Sequence, residues 1–321
     1  MRSRKSTAKG MALVIVLFIL VIMTTTAAWL SEDILLHLRT TENTRNSTQA
    51  WQTLLGSESW ALSVLIKDSQ ESQSDHPGEG WNSLGKGVEI EQGRLLTVIE
   101  DMQGRLNLNN MIEESIISSP QTPNKPDARI WTGAFRRLLI SLELNPLLSD
   151  AVLDWLDPDQ NVRGTSGAED VDYLSMTPPY RTANHAFSEI SELLQVKGFD
   201  KKTVQKLAPF IAALPAKDVR ININTAPAGL LRILGKNTLS IDESRRLVSD
   251  RPQDKGYTVE EFLQHDMMAG EQDIATPLIT NQSSYFLIKS SAEIGRSRAK
   301  IVSLVERKNG KVGVIGRSPV L

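Results

Sequence analysis

Residues 154–173, DWLDPDQNVRGTSGAEDVDY, carry six carboxylates: Asp154, Asp157, Asp159, Glu169, Asp170 and Asp172. Two acidic groups flank a loop that contains Gly164 and Gly167. Held close, such groups repel unless a cation sits among them. Hard oxygen donors at flexible spacing suit calcium best. The register is not that of the EF-hand, D-x-D-x-D-G-x5-E, so a site here is of another kind. Two features point away from a metal. Arg163 lies inside the loop and can neutralise one cluster, and aspartates also cap helices on solvated acidic loops.

Other chemistry finds little support. The four histidines, His37, His76, His185 and His265, lie far apart, with no H-E-x-x-H and no zinc spacing. Cysteine is absent, which excludes disulfides, thiol nucleophiles and cysteine zinc sites. G-x-S-x-G does not occur. GLLRILGKN at 229–237 imitates a phosphate loop, but five residues separate its glycines and Asn237 stands where Ser or Thr is required. A glycosidase carboxylate pair would need a substrate cleft. The 36 basic and 38 acidic residues nearly cancel, so no global field favours nucleic acid. No enzyme is expected.

The elements that position these residues begin with MRSRKSTAKGMALVIVLFILVIMTTTAAWL. Arg2, Arg4, Lys5 and Lys9 precede Gly10 without an acid, and Met11 to Leu30 contain no charge. As a helix that run spans roughly 30 Å, the thickness of a hydrocarbon core. The basic flank places the first residues on the cytoplasmic side, with Trp29 at the far interface. A cleaved signal peptide is the alternative, with TAA at 26–28 as its site. Against it, Ile34, Leu35, Leu38, Trp51, Leu54, Leu55, Leu62 and Leu65 recur at helical spacing, with no Pro or Gly between Trp29 and Gly56. One helix from about residue 11 to about 66, on the order of 80 Å long, is expected.

Residues 67–87 are polar and Gly-rich and read as a loop. GVEIEQGRLLTVIEDMQGRLNLNN alternates as strands do, with DMQG as a turn between two of them. The C-terminal SYFLIKSSAEIGRSRAKIVSLVERKNGKVGVIG has the same character, with turns at EIGR and KNGK. Between these regions, ARIWTGAFRRLLISLEL, LLSDAVLDWL, ISELLQV and KTVQKLAPFIAAL are helical in period, and Ser240 with Glu243 and Thr258 with Glu261 form capping-box signatures. A sheet built from both ends of the region after the anchor, packed on the N-terminal helix, with a helical domain inserted, is the simplest arrangement.

A basic leader ending in glycine, followed by an uncut apolar run beginning MALVIVLF, resembles a class III, type IV pilin-like prepilin. The resemblance implies peptidase cleavage between Gly10 and Met11, N-methylation of Met11 and retention of the helix as anchor. Most of that family carry glutamate at the fifth mature position, where this chain has Ile15. The K-type minor pseudopilins of type II secretion systems (the GspK family), proposed to sit at the filament tip, lack it. That family also carries a DW-x-D-x-D … GAED-x-x-Y stretch like the one here, with Tyr173 in place, in a helical domain described as calcium-binding. The resemblance covers essentially the whole chain.

It implies an α+β, type IV pilin-like fold: a long N-terminal helix on an antiparallel sheet, with a large inserted all-α domain. The expected layout is leader 1–10, transmembrane part 11–30, first pilin-like part 31–112, inserted helical domain 113–280 and C-terminal strands 281–321. ELLQVKG at 192–198 and GLLRILG at 229–235, beside ININTAPAGLL, are similar to helix-hairpin-helix or SAM-like units. GKNTLS replaces the usual Gly-apolar-Gly hairpin and no basic stripe accompanies it, so packing, with Ile221 and Ile223 inward, is expected rather than nucleic-acid binding. The implied function is a minor pseudopilin that caps or initiates the periplasmic pseudopilus. Its partners would be I- and J-type minor pseudopilins, the major pseudopilin, the prepilin peptidase and the inner membrane, with calcium as the cofactor. A membrane-anchored periplasmic calcium-binding adhesin or receptor and a membrane-tethered helix-hairpin-helix DNA-binding protein are the alternatives.

Overall fold

The first helix, α1 (Ala8–Glu71), runs unbroken for 64 residues, about 96 Å at 1.5 Å per residue. It belongs to a computed structural model that describes residues 8–319 except Lys86, Gln92, 113–126 and Asn237, with side chains from Met11 onward. Leader residues 1–7 and the expected domain boundary at 112/113 therefore lie wholly or partly outside the described residues. Hydroxyls in the apolar stretch are satisfied within the helix: Thr24 and Thr25 donate to the carbonyls of Leu20 and Val21 at 3.0 and 2.9 Å. The helix continues to Glu71, past the expected end near 66; no Gly or Pro interrupts Lys67–Glu71, and Lys67, Gln70 and Glu71 favour helix.

The sheet has strand order β1-β2-β7-β8-β9, formed by β1 (Val88–Ile90), β2 (Gly93–Asp101), β7 (Tyr285–Ile294), β8 (Ser297–Lys308) and β9 (Lys311–Pro319). All neighbouring pairs are antiparallel. β2 and β7 are paired from Gly93↔Ile294 to Asp101↔Phe286, so strands far apart in sequence lie side by side. Asn309 and Gly310 both take positive φ in the β8–β9 turn, as a tight hairpin requires. One face of α1 packs on this sheet: Ala50 and Leu54 against Ala292, Ile294 and Ile301, and Ala61 and Leu65 against Ile99, Phe286, Ile288 and Val305.

The chain between β2 and β7 builds the second mass of the protein. Its helices are α2 (Ala128–Ser141), α3 (Leu148–Leu156), α4 (Asp170–Leu174), α5 (Lys201–Leu207), α6 (Ala228–Leu231), α7 (Ile241–Ser249), α8 (Val259–Leu263) and α9 (Gln272–Ala275). They enclose a core that includes Trp131, Phe135, Trp155, Tyr173 and Phe262. Both capping boxes form: Ser240 and Thr258 accept the N–H groups of Glu243 and Glu261, whose carboxylates reach back.

The insertion is not purely helical. Two short parallel pairs join β3 (Leu106–Asn107) to β4 (Ile211–Ala212) and β5 (Ile221–Asn222) to β6 (Ile279–Thr280). DMQG thus turns the chain between two strands, as expected, but β2 and β3 do not pair with each other. Met102–Gly104 form a 3-10 turn, after which β3 leaves the sheet for β4. The helix expected over KTVQKLAPFIAAL stops at Leu207, because Pro209 has no N–H for the ladder and Ile211–Ala212 pair as a strand. ISELLQ is a 3-10 helix. The Asn side chains after β3 act as surrogate backbone: Asn109 bonds Phe187 N, Phe187 O and Leu214 O, and Asn110 bonds both polar groups of Val219. Ile221 and Ile223 are fully buried, as expected.

Candidate functional site

The acidic loop is organised from below by Asp154. This residue lies on α3, is fully buried, and accepts the backbone N–H of Arg163 at 3.2 Å and of Ala168 at 2.8 Å. The loop must pass close to it, which explains the glycine at 167: a Cβ there would lie 2.2 Å from Asp154 Oδ2. Gly164 takes φ +56, and a Cβ on it would meet Asp150 Oδ2 at 2.4 Å. Two successive Asx turns follow α3. Asp157 Oδ1 accepts the Asp159 N–H at 3.3 Å, and Asp159 Oδ1 accepts the Asn161 N–H at 2.8 Å.

One carboxylate oxygen each from Asp157, Asp159 and Glu169 converge within 4.8 Å of one another. Glu169 is 2% exposed, and its Oε1 has no hydrogen-bond partner among the described residues. Its Oε2 lies 3.4 Å from the Thr182 hydroxyl, which sits closer to Asp170 at 2.8 Å. Burial, then the charges of Asp154 and Asp157, push the Glu169 carboxyl up to about 7. Burial also raises Asp154 and Asp157, against hydrogen bonds from Arg163. The Arg163 guanidinium reaches Asp157 Oδ2 at 2.8 Å and lies 3.8 Å from Asp154. It answers part of the charge of Asp157 and Asp154.

The other two acids of the run turn elsewhere. Asp170 accepts from the Thr182 N–H at 3.1 Å and lies 3.3 Å from Arg181. Asp172 pairs with Lys197 at 2.7 Å and accepts the Glu169 N–H; the Lys197 hydrogen bond holds its carboxyl below the usual range. Thr182, Lys197 and the Arg136–Asp150 pair at 2.9 Å lack any local sequence signal, since each is joined to the loop only by the fold. Edge-on contact of Trp155 with Tyr173, ring centroids 5.4 Å apart, fixes α4 against α3. The chemistry available is oxygen coordination of a hard cation at Asp157, Asp159 and Glu169.

The second candidate region is the start of α1. Gly10 and Met11 lie in its first turns. Met11, Ile15, Phe18 and Met23 are 68, 53, 65 and 66% exposed, and the helix is long and apolar enough to cross a membrane. The exposed apolar face persists through Ile34, Leu35, Leu36 and Leu38, before the sheet begins to cover the helix.

Two family models described as type II secretion system (T2SS), protein K, match residues 104–216 and 221–280. Type II secretion system protein K of Aeromonas hydrophila is 32% identical, the match covering 96% of each chain. The protein of that name from Pseudomonas aeruginosa is also 32% identical, over 96% of this chain and 92% of its own. Among solved structures, a chain in the crystal structure of the GspK-GspI-GspJ complex from the enterotoxigenic Escherichia coli type 2 secretion system superposes with a TM-score of 0.74 at 25% identity. That match covers 88% of this chain and 99% of the other. This chain belongs to the type II secretion system protein K family.

Proposed function

We propose that this minor pseudopilin caps or initiates the pseudopilus at its tip, held in the inner membrane by residues 11–30 with the remainder in the periplasm. The observation that carries the reading is the first half of α1: apolar, exposed, continuous with the sheet-bound half, and without an acid at Ile15. A carboxylate in lipid needs a partner, and a subunit with nothing above it has no amine to receive. The solved GspK relative assembles with GspI and GspJ. Carried over, the partners here are I- and J-type minor pseudopilins, with the major pseudopilin below. Prepilin peptidase cuts between Gly10 and Met11 and methylates Met11. The test is the mass of the mature chain and its place in the filament. We expect a chain beginning at methylated Met11, found at filament ends, and a Gly10→Leu variant that stays full length in the membrane and stops secretion. Shortening of that variant by ten residues, or label along the filament shaft, overturns the reading.

The acidic loop is read as a calcium site. Asp157, Asp159 and Glu169 are its direct oxygen donors and Asp154 its support. Asp170 and Asp172 orient the loop through Thr182, Arg181 and Lys197. Glu169's unpaired, buried Oε1 is the feature that supports a cation there. The units around α5 and around α6 and α7 are assigned as SAM-like, serving packing: a Cβ on Gly229 would strike the Phe210 ring at 2.6 Å, so that glycine allows close approach.

A further inference from the structure

We infer that a second calcium-type divalent-cation site lies where α1 ends, built from Asp68, Asp75 and Glu79. These residues share nothing with the acidic loop at 154–172. One oxygen of each carboxylate lies within 4.8 Å of one from each of the others. Arg307 of β8 is the cation at hand: its guanidinium reaches Asp68 Oδ2 at 3.0 Å and Asp75 Oδ1 at 2.6 Å. Three carboxyl groups therefore share one guanidinium, which bonds two of them.

Glu79 shows where the deficit falls. Its Oε2 accepts the Trp81 indole N–H at 2.8 Å and the His76 backbone N–H at 3.0 Å, which fixes the carboxylate in place. Its Oε1 is buried without a hydrogen bond among the described residues, on a side chain 8% exposed. The His76 ring comes near it without bonding it. Nε2 stands 3.8 Å from Oε1, beyond hydrogen-bond reach, while Nδ1 accepts the Gly78 N–H at 3.2 Å. With Nδ1 engaged by the Gly78 N–H, the ring is held in place beside the carboxylates. The donors that remain are all carboxylate oxygens at irregular spacing. That set favours calcium over magnesium, which demands a regular octahedron, and over zinc, which prefers nitrogen and sulfur.

The place gives the ion a mechanical role. Asp68 lies in the last turn of α1, Asp75 and Glu79 lie on the return loop, and Arg307 belongs to the sheet. The Asp75 carbonyl accepts from Asn222 of the insertion at 3.0 Å, and Ser283 N–H bonds its carboxylate at 2.6 Å. A bound cation would tie helix, sheet and insertion at one point of a chain that has no disulfide.

The experiment uses the full chain in detergent with Asp159→Asn and Glu169→Gln already present, which removes donors of the loop site. Calcium binding is measured by equilibrium dialysis, and terbium emission is excited through tryptophan, Trp81 being bonded to Glu79. We expect one ion per chain in this background, affinity at least tenfold weaker after Glu79→Gln, and most terbium emission lost after Trp81→Phe. Asp68→Asn repeats the affinity loss should Glu79→Gln fold poorly by circular dichroism. No bound ion at millimolar calcium, or unchanged binding in Glu79→Gln and Asp68→Asn, overturns the proposal and leaves a proton shared among the carboxylates. The loop site is judged separately, by whether the unsubstituted chain binds one ion more than this background.

Discussion

Glu169 is the residue whose protonation reports on the acidic loop. Unfolded, its carboxyl titrates at the ordinary value of 4.5; folded and metal-free, burial and its acidic neighbours raise it to about 7. Between these values the folded chain binds more protons than the unfolded one, so stability falls as pH rises from 4.5 and the loss is complete above about 7. The span is worth on the order of 3 kcal/mol. In chelator, the unsubstituted protein should therefore lose stability relative to Glu169→Gln from pH 5 to pH 8, as read by denaturant melts at each pH. Parallel pH profiles for the two proteins would show that Glu169 is ionised in the fold at pH 5. At this scale the sequence was a partial guide. The crowding of six carboxylates was legible in residues 154–172, and so was the restraint supplied by Arg163. What divides them was not: Asp170 and Asp172 turn to Thr182, Arg181 and Lys197, which lie up to 25 residues further on and are brought back by the fold. Asp75 and Glu79 were hidden for another reason, since a polar, Gly-rich segment reads as solvent-facing whether or not its acids are buried.

Among the elements, α1 changes environment along its length. Ala50, Leu54, Ser57, Glu58, Ala61 and Leu65 form the buried face, spaced by three and four residues. Small side chains at 50, 57 and 61 let the helix sit low on the strands. The polar pair on that face is satisfied: Ser57 donates to Ser290 at 3.0 Å, and Glu58 accepts from Ser303 and Arg317. Leu54 fills the space between, so Leu54→Ala should cost about 2–5 kcal/mol in denaturant unfolding of the full chain. Leu35→Ala, at a side chain 53% exposed, should leave that unfolding unchanged within about 0.5 kcal/mol. Equal effects would mean that the helix is not held by this face. The helix itself was legible from its period and from the lack of breakers, but its facing was less so. Trp51 shares the helical spacing of Leu54 and Leu55 yet remains 37% exposed, because hydrophobicity alone does not say which apolar stripe a sheet will cover. Likewise the alternation around DMQG marks β3 as a strand without naming its partner. The two residues of β3 pair with Ile211–Ala212, a partner more than a hundred residues away that no local pattern announces.

At the scale of the whole molecule, the insertion leaves and re-enters the sheet at neighbouring strands, Asp101 facing Phe286 across β2 and β7. Asp101 seals that exit: it accepts from Thr225 at 2.6 Å, Ser283 at 2.7 Å and Asn222 at 2.8 Å, joining the sheet to an interior turn of the inserted chain and to its C-terminal end. The overall plan could be read in advance because strand-like alternation at both ends of the globular region, with helical periods between, admits few arrangements. An insertion tied to the sheet in this way should also pass its own stability on to the molecule. A cation bound at Asp157, Asp159 and Glu169 of the folded chain, and not of the unfolded one, adds RT ln(1 + [Ca]/Kd), about 2.7 kcal/mol at a hundred times Kd. For a chain of this size that corresponds to a melting temperature roughly 4 °C higher in calcium than in chelator. Magnesium should give much less, because the loop offers no regular octahedron. Glu169→Gln and Asp159→Asn should remove most of the shift, whereas Asp172→Asn, which breaks the Lys197 pair but takes no oxygen from the converging three, should retain it. Calorimetry of the full chain in detergent, with each variant scanned in calcium, magnesium and chelator, measures all of these together. A melting curve indifferent to calcium would reduce the acidic loop to a set of caps and ion pairs. The long apolar helix, the sheet and the family membership would stand as they are.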